Sequence, residues 1–435
     1  MEYEIKLEIN VKIQENELNI NGLIKAMHDF SKFVLGREML SMLIHAMDRQ
    51  VCEKVRRDSE GTFENRGYRD RTIQSTMGRI PLRFLKLRNR DSGAVSCPGL
   101  ELLDCPAYAR WPKSLLVNAA GMLPFMSYRQ SSAEHLEQHG TGPAKTTVHR
   151  RLQELVGTGD YRPNLCKRNF KYLLVDGTGA KFQDRSENCF YSGEVRFAYA
   201  STGDGRPYEL VGLWVGKDWK ACADELYSRM STGQLEVLIC DGEEGISSAF
   251  LRPHIRHQRC QWHALRDLSY ILYADDLKKP EQEPIISAFK SIPMVGCTQL
   301  DFEELTGESI STVKKIRNEI VKSLKDLAAS TIEQGYPTAG TYLQRLAEPF
   351  VTCLDHYIDT GNIIPITSNI IERQIGLFKN RYSRIGKRWS EQGLIRWFAI
   401  AIRKLLPQFD WKESWKEFYG SKDSVKLELS VCSIR

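Results

Sequence analysis

Two short apolar runs that each end on an acid constrain this chain more than anything else in it. They are "YLLVD" (172–176) and "VLICD" (237–241). Four apolar residues bounded by an Asp-Gly pair are too few for a helix and fit a strand buried on both faces. Between them, 194–217 reads as two further strands around a "GDGRP" turn, and "WKACADELYSRMST" as a helix. A helix follows the second run within "LEVLICDGEEGISSAFL" (235–251). Strand, strand, strand, helix, strand, helix predicts an α/β fold with a mixed sheet. Functional groups of open α/β sheets collect where strands finish, and Asp176 and Asp241 are expected there. Asp-Gly is also a common turn signal, so each Asp alone is open to that simpler reading. Two such acids in one α/β segment favour a functional one. Carboxylates brought together repel unless hard divalent cations with oxygen ligands, such as Mg²⁺ or Mn²⁺, neutralise them.

The flanks are helical in pattern. The first 50 residues read as a strand-like start and then a helix. Residues 56–90 carry ten Lys/Arg against four acids, and "TIQSTMGRIPLRFLKLR" within them alternates around a Gly as a hairpin does. Its basic face suits either water or backbone phosphates. Residues 127–157 have the pattern helix, Gly-containing break, helix. Thr141 would cap the second helix and Val148, Leu152 and Leu155 would line its inner face. Lys145, His149, Arg150 and Arg151 would lie elsewhere on it. This is the outline of a helix-turn-helix, and equally of any αα-hairpin. Residues 264–360 are helical, with breaks expected at "KKPEQEP" and "SIPMVG", and 367–406 holds one or two more helices.

The formal net charge of +6 is mild for 435 residues, but its placement is not. Residues 373–404 hold nine Lys/Arg and a single acid, Glu391, a local +8. Arg373, Lys379, Arg381, Arg384, Lys387 and Arg388 form most of a surface suited to tracking phosphates. Tyr382 and Trp389 are open to two readings there, base stacking or core. The longest apolar stretches, 114–126 and 394–406, fall short of the roughly 20 residues a membrane helix needs. No signal-like segment opens the chain. Eleven scattered cysteines without a C-x-x-C fit reduced thiols. The expectation is a soluble protein of the cytoplasm, associated with the nucleoid and not with a membrane.

"HIRHQRCQWHALRDL" (254–268) spaces His254, His257, Cys260 and His263 by threes. On one helix such a set drifts by about 60° per step, so the outer pair face nearly opposite ways and one zinc cannot gather all four. His254 and His257 are expected in solvent. In "TSNIIERQ", Asn369 and Glu372 have the spacing of a capping box.

In order, "LLVDGTGAKFQ", "VLICDGEEGI", "RCQWHALRDL" and "TSNIIERQIGLFKNRYSRIGKRWS" resemble the DDE transposases of the Mutator-like superfamily, a group that includes many insertion-sequence transposases. Asp241 lies 65 residues after Asp176, and Glu372 131 residues after Asp241. The resemblance covers about 169–404. It implies a ribonuclease-H-like catalytic core interrupted by an all-helical insertion and preceded by a mostly helical DNA-binding region. The implied divisions are 1–110 (helix and basic hairpin), 111–160 (helix-turn-helix-like), 169–263 with 365–406 (core), 264–364 (insertion) and 407–435 (tail).

The resemblance makes Asp176, Asp241 and Glu372 the ligands of two Mg²⁺ or Mn²⁺ ions, any capping role of Glu372 being secondary. Cys260 and His263 match the family's Cys-x-x-His, with Cys260 buried and His263 turned to the site. Glu243 and Glu244 stand close enough to Asp241 to compete as ligands. The implied chemistry is two-metal DNA cleavage and strand transfer on double-stranded DNA, at terminal inverted repeats and a target. A homodimer or higher assembly on DNA is implied. Two alternatives remain: a transposase-derived DNA-binding protein that no longer cuts, and another nuclease of the same fold.

Overall fold

The computed structural model describes residues 20–103, 111–157, 165, 168–184, 186–203, 207–385 and 389–415. Packing divides the chain into two units, 1–159 with 400–435, and 160–399.

In the first unit, helices α1 (Ile20–Asp29) and α2 (Gly36–Asp58) precede a hairpin of β1 (Phe63–Ser75) and β2 (Gly78–Asn89). A short β3 (Val95–Ser96) pairs with β2, and α3 (Pro98–Leu102) follows. Alternation in β2 sends Ile80, Leu82 and Phe84 onto Ile44 of α2 and Leu100 of α3, leaving Arg79 and Arg83 exposed. The expected basic face therefore exists, but Arg83 is paired with Asp70 and lies over the Tyr68 ring. Helices α4 (Lys113–Met122), α5 (Tyr128–His139) and α6 (Lys145–Gly157) complete this part. Ser127 and Gln130 form a capping box on α5, and Gly140 ends it in the left-handed region at φ 62°. Thr141 does not cap α6, which starts four residues later. It is buried with its hydroxyl on Gln74 of β1, a partner its sequence neighbourhood does not show.

The second unit is built on β4 (Tyr172–Asp184), β5 (Cys189–Ser201), β6 (Glu209–Val215), β7 (Val237–Cys240) and β8 (Arg256–Arg259). Their order is β6-β5-β4-β7-β8. The first three form an antiparallel meander, and β7 and β8 run parallel to β4. Helices α7 (Trp219–Arg229) and α8 (Glu244–Phe250) cover one face, where Leu173, Val175, Leu238 and Cys240 meet Leu226 and Phe250. Six helices follow: α9 (Gln261–Ala274), α10 (Lys279–Lys290), α11 (Gln299–Thr306), α12 (Ile310–Glu333), α13 (Pro337–Phe350) and α14 (Thr352–Thr360). Then come α15 (Asn369–Lys379) and α16 (Glu391–Leu405). Over the opposite face, Phe378 of α15 stacks on Phe197 of β5 and Phe398 of α16 meets that ring edge-on. The mixed α/β sheet expected from the sequence is present.

Several details differ. Asp176 does not end its strand. β4 continues to Asp184 because β5 pairs with it along its whole length; only the parallel pairing with β7 stops, at Val175. β8 was not expected, since "RHQR" is polar and carries no strand alternation. It is held by β7 on one side and by Gln258, buried, which accepts from the Cys353 backbone N–H at 2.6 Å. That strand half-buries His257, expected in water, with its ring against Cys240 Sγ at 3.1 Å. "KKPEQEP" begins α10 instead of breaking a helix, because its first proline sits in the first turn, where no N–H is required. "SIPMVG" is a break as expected. The strand expected at the chain's start lies outside the described residues.

Leu174 sits fully buried near the start of β4, paired with β5 on one side and β7 on the other. Leu174→Ala is expected to lower unfolding stability in urea by roughly 2–5 kcal/mol. Tyr270→Ala, on an exposed position of α9, should change it by less than about 0.5 kcal/mol.

Candidate active site

The site follows from one register. β4 and β7 pair Val175 with Cys240, so the next residues, Asp176 and Asp241, leave the parallel ladder side by side. Asp176 is 5% exposed and accepts the Gly177 N–H at 2.8 Å. Burial, then the Asp241 charge and more weakly that of Glu372, push its carboxyl up to about 7, against the opposing Gly177 N–H and a smaller pull from Arg266. Asp241 starts the turn into α8 and accepts the Glu243 N–H at 3.0 Å. Gly242 between them has φ 80°, and a Cβ there would lie 2.2 Å from the Arg259 guanidinium. Only glycine meets both conditions.

Glu372 arrives on the first turn of α15. The capping box is not formed. Ser368 is the cap residue, Asn369 is already helical, and the Glu372 carboxylate instead meets His263 Nε2 at 3.4 Å. His263 is 4% exposed, and its Nδ1 lies 3.3 Å from the Ser368 hydroxyl. Cys260, fully buried, accepts from the Ser368 N–H at 3.3 Å and from its hydroxyl at 3.4 Å. One serine thus joins the start of α15 to the start of α9. Burial, with the nearby Arg266 charge, lowers the His263 pKa. The four residues spaced by threes go to different partners: His254 meets the Thr232 carbonyl at 3.0 Å, His257 faces Cys240, and only Cys260 and His263 share one.

The two extra acids have other surroundings. Glu243 accepts the Trp219 indole N–H at 2.7 Å, and Glu244 is exposed on the first turn of α8. Trp219 was not foreseen. It packs under Gly177 and beside Arg196, whose guanidinium lies 4.5 Å from its ring centroid, and nothing in its local sequence marks it.

Asp176, Asp241 and Glu372 are donors of the right kind for a hard cation, and their charges reach one another. Among the described residues, however, no three His, Cys, Asp or Glu side chains are drawn together closely enough to hold an ion as they stand. Coulomb coupling extends farther than ligation, so the two observations are compatible: the carboxylates share one region without closing around a point.

The expected basic residues separate into groups. Lys145, His149 and Arg150 are exposed on α6 and Arg151 is half-buried there, while Val148 is buried. Arg373 and Lys379 are exposed on α15. Arg381 is only 4% exposed, 5.1 Å from the Trp389 ring centroid, and so does not lie on the surface. Tyr382 and Trp389 are core, packed on Trp397, which decides between their two readings. The Arg384 side chain, Lys387, Arg388 and the tail beyond 415 lie outside the described residues. No helix among the described residues is long and apolar enough to cross a membrane.

A mixed sheet whose parallel ladder opens onto a group of acids defines an α/β protein with a carboxylate centre. The family model "Transposase, Mutator family" matches residues 8–329, most of the chain, and the protein belongs to that family. The match stops before Glu372, whose place in the site rests on the contacts above. No curated protein matches the chain.

A carboxyl whose pKa is raised by folding destabilises the fold once ionised. For Asp176 that penalty is absent below 3.8, grows up to about 7 and is constant above. Asp176→Asn should therefore raise the melting temperature of metal-free protein at pH 8, by an amount equivalent to roughly 4 kcal/mol at most. The advantage should shrink as pH falls through 7 and vanish near pH 4. A variant that melts lower than wild type at pH 8 would show that the Asp176 charge is compensated.

Proposed function

We propose that this protein cleaves and joins DNA at the ends of a mobile element, with Asp176, Asp241 and Glu372 as the ligands of divalent cations. The family is one of transposases, generally DNA-cleaving enzymes. The observation that carries the finer reading is the pairing of Val175 with Cys240, which sets Asp176 beside Asp241 across 65 residues of sequence; burial, then the Asp241 charge and more weakly that of Glu372, raise the Asp176 carboxyl in agreement with it. The sheet order, three antiparallel strands with two parallel ones added beside the first, supports a ribonuclease-H-like core. The helices α9 to α14 between β8 and α15 support an insertion into it.

Mg²⁺ or Mn²⁺ held by the three carboxylates would supply activation of the attacking oxygen and stabilisation of the leaving one. The chain's own residues do the rest. Parallel pairing fixes the spacing of Asp176 and Asp241. His263 orients Glu372 and is itself held by Ser368. Arg266 offsets part of the negative charge. Lys145, His149, Arg150 and Arg151 on α6 would hold the phosphates of terminal repeats, and Arg373 and Lys379 on α15 would hold phosphates near the carboxylates. A homodimer would place two such centres on two element ends. The alternative, a DNA-binding protein that no longer cuts, draws on the fact that the carboxylates do not already close around a point.

Wild-type protein with Mn²⁺ and plasmid carrying terminal repeats should nick and transfer strands. Asp176→Asn, Asp241→Asn and Glu372→Gln should each lower cleavage by at least about 100-fold while changing duplex affinity little. Cleavage by the Asp241→Asn protein at the wild-type rate would remove Asp241 from the centre. Duplex binding with no cleavage by wild type under any divalent cation would favour the alternative.

A further inference from the structure

α9 leaves the carboxylate centre with one unusual face. Trp262, Arg266, Tyr270 and Tyr273 follow at steps of four, four and three, which places them along one stripe of the helix. Trp262 is 52% exposed, Tyr270 70% and Tyr273 69%. Arg266 is exposed between them, 5.6 Å from the Trp262 ring centroid. The stripe begins one residue before His263, and the Arg266 charge is felt by Asp176. Three large rings left in water on one face, beside a site for phosphodiester chemistry, ask for an occupant.

At the start of α9 a cavity of about 580 Å³ opens, lined by Trp262, Gln261, Tyr208, Thr298, Asn369 and Ile370 among others. Gln261 is 2% exposed, and neither its amide oxygen nor its amide nitrogen has a hydrogen-bond partner. A buried amide left unpaired is costly and rare. A group carrying a donor beside an acceptor would satisfy it, and the edge of a nucleobase is such a group. The indole next to it suits the face of the same base.

We propose that α9 and the cavity at its N-terminal end bind an unpaired stretch of DNA strand, an inference that rests on the DNA-cleaving reading above. One base enters the cavity against Trp262 and pairs with the Gln261 amide. The following bases lie on Tyr270 and Tyr273, and Arg266 meets the phosphate between. The strand is unpaired for two reasons. Successive stripe positions are about 4.5–6 Å apart along the helix, wider than the roughly 3.4 Å step of a strand in a duplex. A base within a duplex also has both faces covered by its stacked neighbours, so it cannot lie against the Trp262 ring. The face is aromatic and cationic, with no exposed Leu, Ile or Val on α9, which suits bases and phosphates better than the apolar face of a protein partner.

The test uses full-length Asp241→Asn protein without divalent cation, so that cleavage plays no part. Fluorescence anisotropy gives its affinity for a short single-stranded oligonucleotide and for the duplex of the same sequence. Adding Tyr270→Ala and Tyr273→Ala should weaken single-strand binding by about tenfold or more and duplex binding by less than about twofold. Tyr270→Phe with Tyr273→Phe, which keeps the rings, should restore single-strand affinity. Gln261→Met should lower single-strand affinity yet raise the melting temperature, because it removes the unpaired amide. Equal losses on both DNAs, or no loss on either, would overturn the proposal, as would Gln261→Met lowering stability with affinity unchanged. If neither oligonucleotide binds, the DNA-cleaving reading fails with it. If the duplex binds and the aromatic variants leave single-strand affinity intact, this inference alone fails.

Discussion

The candidate site depends on four residue pairs of parallel β-sheet. Tyr172 to Val175 lie against Val237 to Cys240, and the ladder stops one residue short of two aspartates. Hydrogen bonds between buried backbones set that spacing, and the fully buried side chains of Leu174, Val175, Leu238 and Ile239 anchor it from both faces. The carboxylates therefore do not choose their separation; the sheet imposes it. The consequence is a buried Asp176 whose charge is resisted by its surroundings and by its neighbours. Folding energy from the core is spent to hold an arrangement that its own electrostatics oppose, which is the usual sign of a site kept for chemistry.

The third carboxylate reaches the site by a different route. Glu372 is separated from β8 by six helices, and its position is set by Ser368, which touches both Cys260 and His263. The Cys-x-x-His spacing makes sense in these terms. The cysteine occupies the position just before α9, and the histidine three residues later is one turn further on, so both side chains meet the same serine. Cys240 contributes as well, since its carbonyl accepts the Cys260 N–H at 2.8 Å. β7, the start of α9 and the start of α15 are thus tied within a few residues of each other.

What was legible in the sequence, and what was not, divides along physical lines. Buried parallel pairing announces itself because every side chain in it is apolar, so the first four residues of β4, all of β7 and the acid that follows each run could be read directly. β8 could not, because its stability comes from a neighbour and from the buried Gln258, not from its own pattern. Pairing over the full length of β5 carried β4 past Asp176, and a run of apolar residues says nothing of where an antiparallel partner ends. Glu372 was ambiguous, since a capping box and a ligand share the same spacing; only the His263 contact separates them. Basic residues were the least legible. Arg381 looks like its exposed neighbours in sequence but folds against Trp389, because an arginine stem and ring pack well in a core. Trp219 and Gln261 had no local signal, as their roles are defined by residues far away in the chain.

The claim on which the account turns is that Glu372 belongs to the same cation-binding centre as the two aspartates, a point beyond the reach of the family match. Titrating metal-free protein with Mn²⁺ at pH 8, and following the free ion by its paramagnetic resonance signal, tests it without DNA or turnover. The account predicts saturable binding by wild type that is weakened about tenfold or more in Glu372→Gln and in Asp241→Asn. Mn²⁺ binding by Glu372→Gln that matches wild type, while Asp241→Asn loses it, would contradict the account.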